Sequence, residues 1–168
     1  MSAAFRIRQT TAADAPALLE LIRGLAEYER LLEHLSATEE GLRSHLFGVR
    51  PMAEAVLAEE EGVAVGFAVF FHNFSTFLGK PGLYLEDLFV RPEYRGRGYG
   101  KALMVFVARL AHARGCGRLE WSVLDWNTPA RDFYRALGAR PLEEWIGQRM
   151  SAEAIARLAQ QRLPGEDA

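Results

Sequence analysis

The feature that most constrains this chain is a glycine-rich, basic turn between two apolar segments. Residues 91–102 read RPEYRGRGYGKA, where Gly96, Gly98 and Gly100 alternate with basic or aromatic side chains. The apolar run LYLEDLFV precedes the turn, and the segment after it has the three-or-four apolar spacing of one helical face. A basic glycine turn between a strand and a helix is typical of a phosphate-binding loop. The sequence therefore predicts a strand, an anion-binding turn and a long helix in succession.

The segments around the turn follow strand and helix patterns in a mixed order. Alternating or continuous apolar runs predict strands at 5–8, 55–59, 63–71, 83–90 and 118–123, with a loop at 72–82. Capping residues and helical spacing predict helices at 14–29, from Ser36 to Leu46, from Leu103 to just before Gly115, from Asn127 to just before Gly138, and from Ser151 to about Gln160. A further strand-like piece lies near the carboxyl end. No repeat or low-complexity linker interrupts the chain, so we expect one domain over residues 1–168 with an α+β (mixed α/β) fold.

Composition restricts the partners of this domain. Twenty Lys and Arg against 22 Asp and Glu leave a net charge of -2, which provides no global attraction to nucleic acid. The one cysteine, Cys116, forms no intrachain disulfide, and the four histidines lack ligand-like spacing, so we expect no metal. No apolar run approaches the ~20 residues of a membrane helix, and no signal-peptide pattern begins the chain. We expect a cytoplasmic protein without nucleic-acid or membrane partners.

Three phosphate-binding patterns compete for this glycine turn. A P-loop requires Ser or Thr after Gly-Lys, whereas Ala102 follows Lys101. A dinucleotide fingerprint requires GxGxxG near the first strand, whereas this turn reads GxGxG in mid-chain. The third pattern, Arg/Gln-x-x-Gly-x-Gly/Ala, is present, and through it the sequence resembles the GNAT acyl-CoA-dependent N-acetyltransferases. The resemblance implies that the pyrophosphate of acetyl-CoA or coenzyme A is held by Arg95, Gly96, Arg97, Gly98, Tyr99, Gly100 and Lys101.

Two flanking blocks extend the resemblance. Upstream, the strand ending in Leu88-Phe89-Val90 is similar to the one whose backbone bonds the pantetheine arm in this family. Downstream, the block DWNTPARDFY implies that an asparagine bonds the pantetheine and that a tyrosine faces the thioester sulfur. The corresponding coenzyme residues are Asn127, Pro129, Ala130 and Tyr134. The implied fold is a mixed, mostly antiparallel central sheet flanked by helices, with the coenzyme in a splay between two central strands.

The resemblance is narrower than the family as a whole. From FRIRQTTAADA to Trp145 the sequence is similar to the diamine (spermidine/spermine) N-acetyltransferases and their thialysine-acetylating relatives, most diagnostically in YLED at residues 84–87. It implies a small-molecule amine as acceptor and a homodimer. The acceptor-site positions that it implies are Tyr28, Glu29, Glu86, Asp87, Glu144 and Trp145.

Acetyl transfer to an amine sets requirements that a few of these residues can meet. An alkylammonium with a pKa of about 10.4 must lose a proton, the tetrahedral oxyanion must be held, and the leaving thiolate must be protonated. We predict Glu86 as the base acting through water, Tyr134 as the acid, and the Leu88 backbone N–H as the oxyanion donor. Strict strand alternation would direct Glu86 and Asp87 to opposite sheet faces unless the strand bulges, so only one should face the substrate.

One departure from the polyamine enzymes narrows the acceptor. An acidic residue and a tryptophan are expected near the FLGK element, where this chain has Ser75 and Phe77. The site therefore has one charge fewer, which favours a shorter diamine or a lysine-like amino acid. Two alternatives stay open from the sequence: a protein or peptide N-acetyltransferase, and a non-catalytic acyl-CoA-binding module. The presence of both Glu86 and Tyr134 favours catalysis.

Overall fold

In the computed structural model, which describes residues 4–164, five strands form one sheet in the order β1-β2-β3-β4-β5. The strands are β1 (Phe5–Gln9), β2 (Glu54–Glu60), β3 (Val63–Ser75), β4 (Lys80–Val90) and β5 (Leu119–Glu120). The α-helices are α1 (Ala15–Tyr28), α2 (Glu39–Phe47), α3 (Tyr99–Ala113), α4 (Thr128–Ala136) and α5 (Ala152–Ala159). Short 3-10 helices occur at Ala12–Asp14, Leu32–His34 and Pro92–Tyr94. Every strand pair is antiparallel except β4 with β5, so the predicted mixed, mostly antiparallel sheet is confirmed.

The chain falls into two compact units, Met1–Leu124 and Asp125–Ala168. The first unit contains the whole sheet with α1, α2 and α3, and the second contains α4 and α5. The prediction of a single domain over residues 1–168 stays a prediction.

Two hairpins connect β2 with β3 and β3 with β4. β2 and β3 join through Glu61 and Gly62, which both have positive φ, at 52° and 82°. A two-residue loop of this kind matches strand twist best, and it joins the strands predicted at 55–59 and 63–71 into a hairpin. The predicted loop at 72–82 is too long: β3 continues to Ser75 and β4 begins at Lys80, so the turn spans residues 76–79 only. Long-range pairing between these strands overrides the turn-forming composition of HNFS and KPG.

Helices cover both faces of the sheet in the first unit. Leu18, Leu21 and Leu25, one apolar face of α1, are buried and pack with Ala55, Leu57, Phe67 and Phe89. On α3, Leu103, Met104, Val107 and Ala111 are buried, whereas Leu110 is half-buried. Because adjacent strand residues point to opposite faces, Val56 and Ala58 are buried on the side away from α1. The core thus lies in two layers, one on each side of β2, β3 and β4.

Two predicted elements have different ends in the structure, and one predicted strand is absent. α2 begins at Glu39 because Thr38, rather than Ser36, is the N-cap and accepts a hydrogen bond from the Gly41 N–H. The strand predicted at 118–123 shrinks to β5, since pairing with β4 extends only over Leu119 and Glu120. Residues 139–150, all of them described, contain no strand, so the strand-like piece predicted there is wrong.

Candidate active site

The glycine turn adopts the backbone geometry that its composition predicts. Gly96 and Gly98 have φ of +77° and +83°, a region that side chains with a Cβ rarely occupy. Gly98 is the N-cap of α3 and has no side chain to accept hydrogen bonds from the first turn. A Cβ placed on Gly96, Gly98 or Gly100 would meet no atom within 4 Å, so open space lies in front of the loop. The N-terminus of a 15-residue helix therefore faces outward with its backbone donors and its positive dipole end.

Arg95, the arginine before Gly96, is held against the end of α1. Arg95 donates through Nε to the Val90 carbonyl oxygen at 3.0 Å. Its guanidinium carbon lies 4.5 Å from the centroid of the Tyr28 ring and 5.6 Å from that of Phe89. The structure thus brings together three residues that the sequence assigned to different tasks: Arg95 and Phe89 to the coenzyme, and Tyr28 to the acceptor.

The second arginine is anchored by a residue that sequence reasoning missed. Arg97 Nη1 contacts both oxygens of Glu60, at 3.0 and 2.9 Å, and the Tyr99 hydroxyl donates to Glu60 Oε1 at 2.6 Å. Glu60 is buried at the end of β2. In the sequence, Glu59, Glu60 and Glu61 before Gly62 look like an exposed turn. No local pattern indicates that one of these three carboxylates is buried against a loop more than thirty residues away. The side chain of Lys101, by contrast, is exposed.

After the two residues that pair with β5, β4 has an unpaired outer edge. β5 pairs with β4 at Leu83 and Tyr84, and a Tyr84–Ser122 hydrogen bond of 2.9 Å continues the contact. Among the described residues, no strand pairs with Leu85–Val90 on the side away from β3. The backbone of Leu88, Phe89 and Val90 therefore lies on a strand whose outer edge is unpaired, directly before the glycine turn. An unpaired edge offers backbone donors and acceptors to an extended ligand.

β4 bulges at Glu86. In the register with β3, Asp87 is opposite Val69 and Leu85 is opposite Phe70, so Glu86 is the extra residue. A bulge interrupts the strict alternation of side chains along a strand. Glu86 and Asp87 therefore need not point to opposite faces of the sheet. The Glu86 side chain is exposed and that of Asp87 is half-buried.

A cluster of three carboxyl groups surrounds this bulge. Burial, together with the negative charges of Glu86 and Glu29, raises the pKa of Asp87 to about 6. Burial also raises the pKa of Glu29, the residue that follows α1. A partly desolvated Asp87 beside the negative charges of Glu86 and Glu29 favours the binding of a cation. The sequence assigned all three residues to the acceptor site and favoured Glu86 over Asp87 as the one facing the substrate; the structure adds that Asp87 is half-buried with a raised pKa.

The second unit carries the remaining predicted coenzyme residues on α4. Asn127 is buried and caps the helix, accepting a hydrogen bond from the Ala130 N–H at 3.3 Å, with Pro129 in the first turn. Tyr134 is half-buried, and its ring lies 5.3 Å from that of Phe133 at a tilt of 56°. Asn127 thus has a local role as a helix cap, and its role toward pantetheine stays a prediction, as does the acid role of Tyr134.

Two predicted acceptor residues lie in the irregular segment between α4 and α5. Glu144 and Trp145 are exposed, Trp145 with 71% of its surface accessible, and the Trp145 N–H donates to the Leu142 carbonyl oxygen at 3.2 Å. Their assignment to the acceptor stays a prediction.

Metal and membrane features are absent from the described part of the chain. Among residues 4–164, no group of three or more His, Cys, Asp or Glu side chains is arranged to hold a metal ion. Over the same residues, no helix combines the length and the apolar character that crossing a bilayer requires.

The fold and the glycine turn together define a class of protein. The profile of the acetyltransferase (GNAT) family matches residues 17–139, and the chain belongs to this family. An integron cassette protein from the mobile metagenome of V. cholerae has a similar structure, with a TM-score of 0.79, 25% sequence identity, and coverage of 94% of this chain and 98% of that one. Both the predicted fold and the predicted family are confirmed.

The similar curated proteins narrow the class to amine acetylation. The thialysine N-epsilon-acetyltransferase of Bos taurus is 40% identical over 164 residues, covering 91% of this chain and 96% of its own length. The L-ornithine N5-acetyltransferase of Arabidopsis thaliana is 34% identical over 195 residues, covering 89% and 86% respectively. This chain is an acetyl-CoA-dependent amine N-acetyltransferase, as the sequence predicted. The relatives do not support the alternative of a non-catalytic module.

The residues present fit the coenzyme that this family uses. The space in front of Gly96, Gly98 and Gly100 admits close approach of a pyrophosphate to the backbone. The unpaired outer edge of Leu85–Val90 suits an extended pantetheine arm. Both features lie in the first unit, on consecutive segments of chain.

Proposed function

We propose that this enzyme acetylates the side-chain amine of a lysine-like amino acid or a short diamine. The observation that carries the proposal is the carboxyl cluster of Glu29, Glu86 and Asp87 at the bulge of β4. An ammonium group attracted to this cluster would lie beside the strand edge assigned to the pantetheine arm. The names of the bovine and plant relatives, which specify thialysine and L-ornithine, support an amino-acid acceptor.

The loop between β3 and β4 supports a short acceptor. Ser75 is buried and accepts a hydrogen bond from the Leu78 N–H, so its hydroxyl group shapes the turn. Phe77 is almost fully exposed at the tip, with 97% of its surface accessible. Neither residue supplies the negative charge that a second, distant ammonium of a long polyamine would need. A short cationic acceptor can satisfy its charge at the carboxyl cluster alone.

Each step of the reaction has a residue assigned to it. When bound, acetyl-CoA would supply the thioester carbonyl carbon: a C–N bond to the neutral amine would form, the C–S bond would break, the nitrogen would lose its second proton as the amide forms, and the thiolate would take up one proton. Glu86 accepts the ammonium proton, through water, and Asp87 with Glu29 holds the cationic acceptor. The Leu88 N–H stabilises the carbonyl oxygen as charge develops on it. Tyr134 on α4 donates the proton to the thiolate, an assignment that rests on the family resemblance.

Release of free thiol from acetyl-CoA tests the choice of acceptor. We expect thialysine, lysine, ornithine and short diamines to give higher kcat/KM than spermidine, spermine or lysine-containing peptides. A matched pair makes the test sharp: lysine against its Nε-trimethyl derivative, which retains the α-amine, the carboxylate and the positive charge but has no nucleophilic side-chain nitrogen. Preferred turnover of peptides would instead support a protein acetyltransferase, and preferred turnover of spermine would contradict the short-acceptor proposal.

The raised pKa of Asp87 predicts a pH dependence. Because ionised Asp87 holds the cationic acceptor, kcat/KM for the acceptor should rise as the pH increases through about 6. Asp87→Asn should remove this limb and lower kcat/KM above pH 7 by about 10- to 100-fold. Initial rates between pH 5 and 8 at saturating acetyl-CoA measure both effects. Glu40→Gln, a carboxyl-to-amide change on α2, serves as the control and should leave the profile unchanged.

Stability provides a second readout of the same group. The folded-state pKa of Asp87 lies above its ordinary value of 3.8, so its contribution to stability is complete at low pH and is lost as the pH rises through about 6. Asp87→Asn should therefore raise Tm at pH 8 while changing it little at pH 4. The kinetic profile provides the contradicting outcome. If the rise of kcat/KM near pH 6 survives in Asp87→Asn and disappears in Glu86→Gln, Glu86 is the titrating group and the assignment of Asp87 is wrong.

We also propose that the enzyme is a cytoplasmic homodimer. The family resemblance implies the dimer, and exposed apolar side chains of the second unit support it: Trp145, Ile146, Ile155 and Leu158. Exposed large apolar side chains are candidates for an association surface. Light scattering coupled to size-exclusion chromatography should give twice the mass of the 168-residue chain.

A further inference from the structure

One buried carboxylate connects the tip of the β2–β3 hairpin to the glycine turn. Glu60 is 8% exposed, and it receives hydrogen bonds from Arg97 and from Tyr99, the residues on either side of Gly98. Gly98 is the N-cap of α3 and has positive φ. A single acceptor group thus restrains both neighbours of the residue whose conformation directs the N–H groups of the helix start.

Aromatic contacts reinforce this arrangement. The Tyr99 ring stacks on Phe5 of β1, with centroids 4.1 Å apart and planes 9° from parallel. Arg97 lies over the ring of Tyr94, with 5.1 Å between its guanidinium carbon and the centroid. The hydrogen bond to Glu60 raises the pKa of Tyr99, and the charge of Glu60 raises the pKa of Arg97.

Part of the Arg97 guanidinium remains available to a ligand. Both hydrogen bonds to Glu60 come from Nη1, and half of the side chain is exposed. The planar guanidinium carries further N–H donors at Nε and Nη2, which suit phosphate oxygens. The contact with Glu60 therefore orients the arginine without using all of its donors.

We propose that Glu60 is a positioning residue for the coenzyme: it holds Arg97 and Tyr99 so that the glycine turn is preformed for the pyrophosphate. The inference rests on the proposed function only through its donor, acetyl-CoA, and is independent of the acceptor. The opposite possibility is that Glu60 competes with the phosphates for Arg97. The geometry favours positioning, because Glu60 also holds Tyr99 and because it occupies one guanidinium nitrogen alone.

The adjacent acid offers a matched control. Glu61 is exposed in the turn, whereas Glu60 is buried one residue earlier. Glu59 is less suitable, because it is buried and bound by Arg6 and Arg8 of β1. Glu60→Gln and Glu61→Gln thus make the same chemical change on the same hairpin, but only Glu60→Gln removes the charge and one of the acceptor oxygens that contact the glycine turn.

Coenzyme affinity and donor truncation test the proposal. Calorimetry with CoA should show that Glu60→Gln raises Kd about tenfold and Tyr99→Phe about threefold, while Glu61→Gln leaves Kd unchanged. In kinetic assays KM for acetyl-CoA should rise with kcat preserved at saturation. With S-acetylpantetheine, which has the thioester but no pyrophosphate, kcat/KM should be the same in Glu60→Gln and in the wild type.

The possible outcomes separate cleanly. Unchanged or tighter CoA binding in Glu60→Gln overturns the proposal, the tighter case in favour of competition for Arg97. Equal losses with acetyl-CoA and S-acetylpantetheine, or a fall in kcat, show a general structural role and also overturn it. If the wild type itself fails to bind CoA, the proposed function fails; if it binds CoA and Glu60→Gln binds it equally well, only this inference fails.

Discussion

Replacing Gly98 with leucine should nearly abolish coenzyme binding. The position has φ of +83°, and its absent side chain leaves the space into which the pyrophosphate would enter. A leucine strains the turn by about 1–2 kcal/mol and also occupies that space. We expect the Kd of CoA, measured by calorimetry, to rise by about 100-fold or more, which corresponds to roughly 2.7 kcal/mol.

Gly115→Leu separates strain from blockage. Gly115 follows the other end of α3, has φ of +67°, and a Cβ added to it would likewise meet no atom within 4 Å. Both variants should lower Tm by similar amounts, since both place a side chain in the left-handed region. Only Gly98→Leu should lose CoA. Retention of normal CoA affinity in Gly98→Leu would refute the assignment of the loop to the pyrophosphate.

The second large effect is expected from Tyr134→Phe. If the phenol protonates the leaving thiolate, its removal should lower kcat by about 10²- to 10³-fold, as is usual for loss of a general acid. The aromatic contact with Phe133 remains possible for phenylalanine, so folding should be preserved. The affinity for CoA should change little. Steady-state rates at saturating acetyl-CoA and acceptor, with CoA binding by calorimetry, measure the two quantities.

Tyr94→Phe is the control for this substitution. It removes a phenol hydroxyl from the 3-10 helix before the glycine turn and retains the ring face that Arg97 covers. We expect its kcat to equal that of the wild type. Donor thiols of lower pKa provide a further check: a thiolate that leaves readily depends less on an acid, so the deficit of Tyr134→Phe should shrink with such donors. An undiminished kcat in Tyr134→Phe would remove its acid role.

Predictions based on local chemistry were accurate in this chain. The sequence Asn127-Thr128-Pro129 predicted the start of α4, because a capping side chain and a proline in the first turn act within a few residues. The turn at Glu61 and Gly62 and the positive φ of Gly98 were predictable for the same reason. The residue pattern of the glycine turn and its two flanking blocks was sufficient to identify the family.

Predictions that depended on pairing partners were less accurate. The sequence HNFS looks like a loop, yet it extends β3 because KPGL at residues 80–83 of β4 pairs with it. RLEWSV looks like a full strand, yet only Leu119 and Glu120 pair with β4. Strand limits are set by neighbouring strands that are distant in sequence, so alternation within one segment cannot locate them.

The sequence by itself determined the family, the mixed fold, the position of the anion-binding turn and the set of acidic residues available to a cationic acceptor. Only the tertiary structure decided which acids interact: burial of Asp87, together with the nearby charges of Glu86 at the bulge and Glu29 after α1, raises the pKa of Asp87. It also decided that Glu60, one of three consecutive acids, is the one buried beneath Arg97 and Tyr99. The physical reason is that residue type and spacing specify local backbone geometry, whereas burial and charge–charge interactions depend on which distant segments pack together.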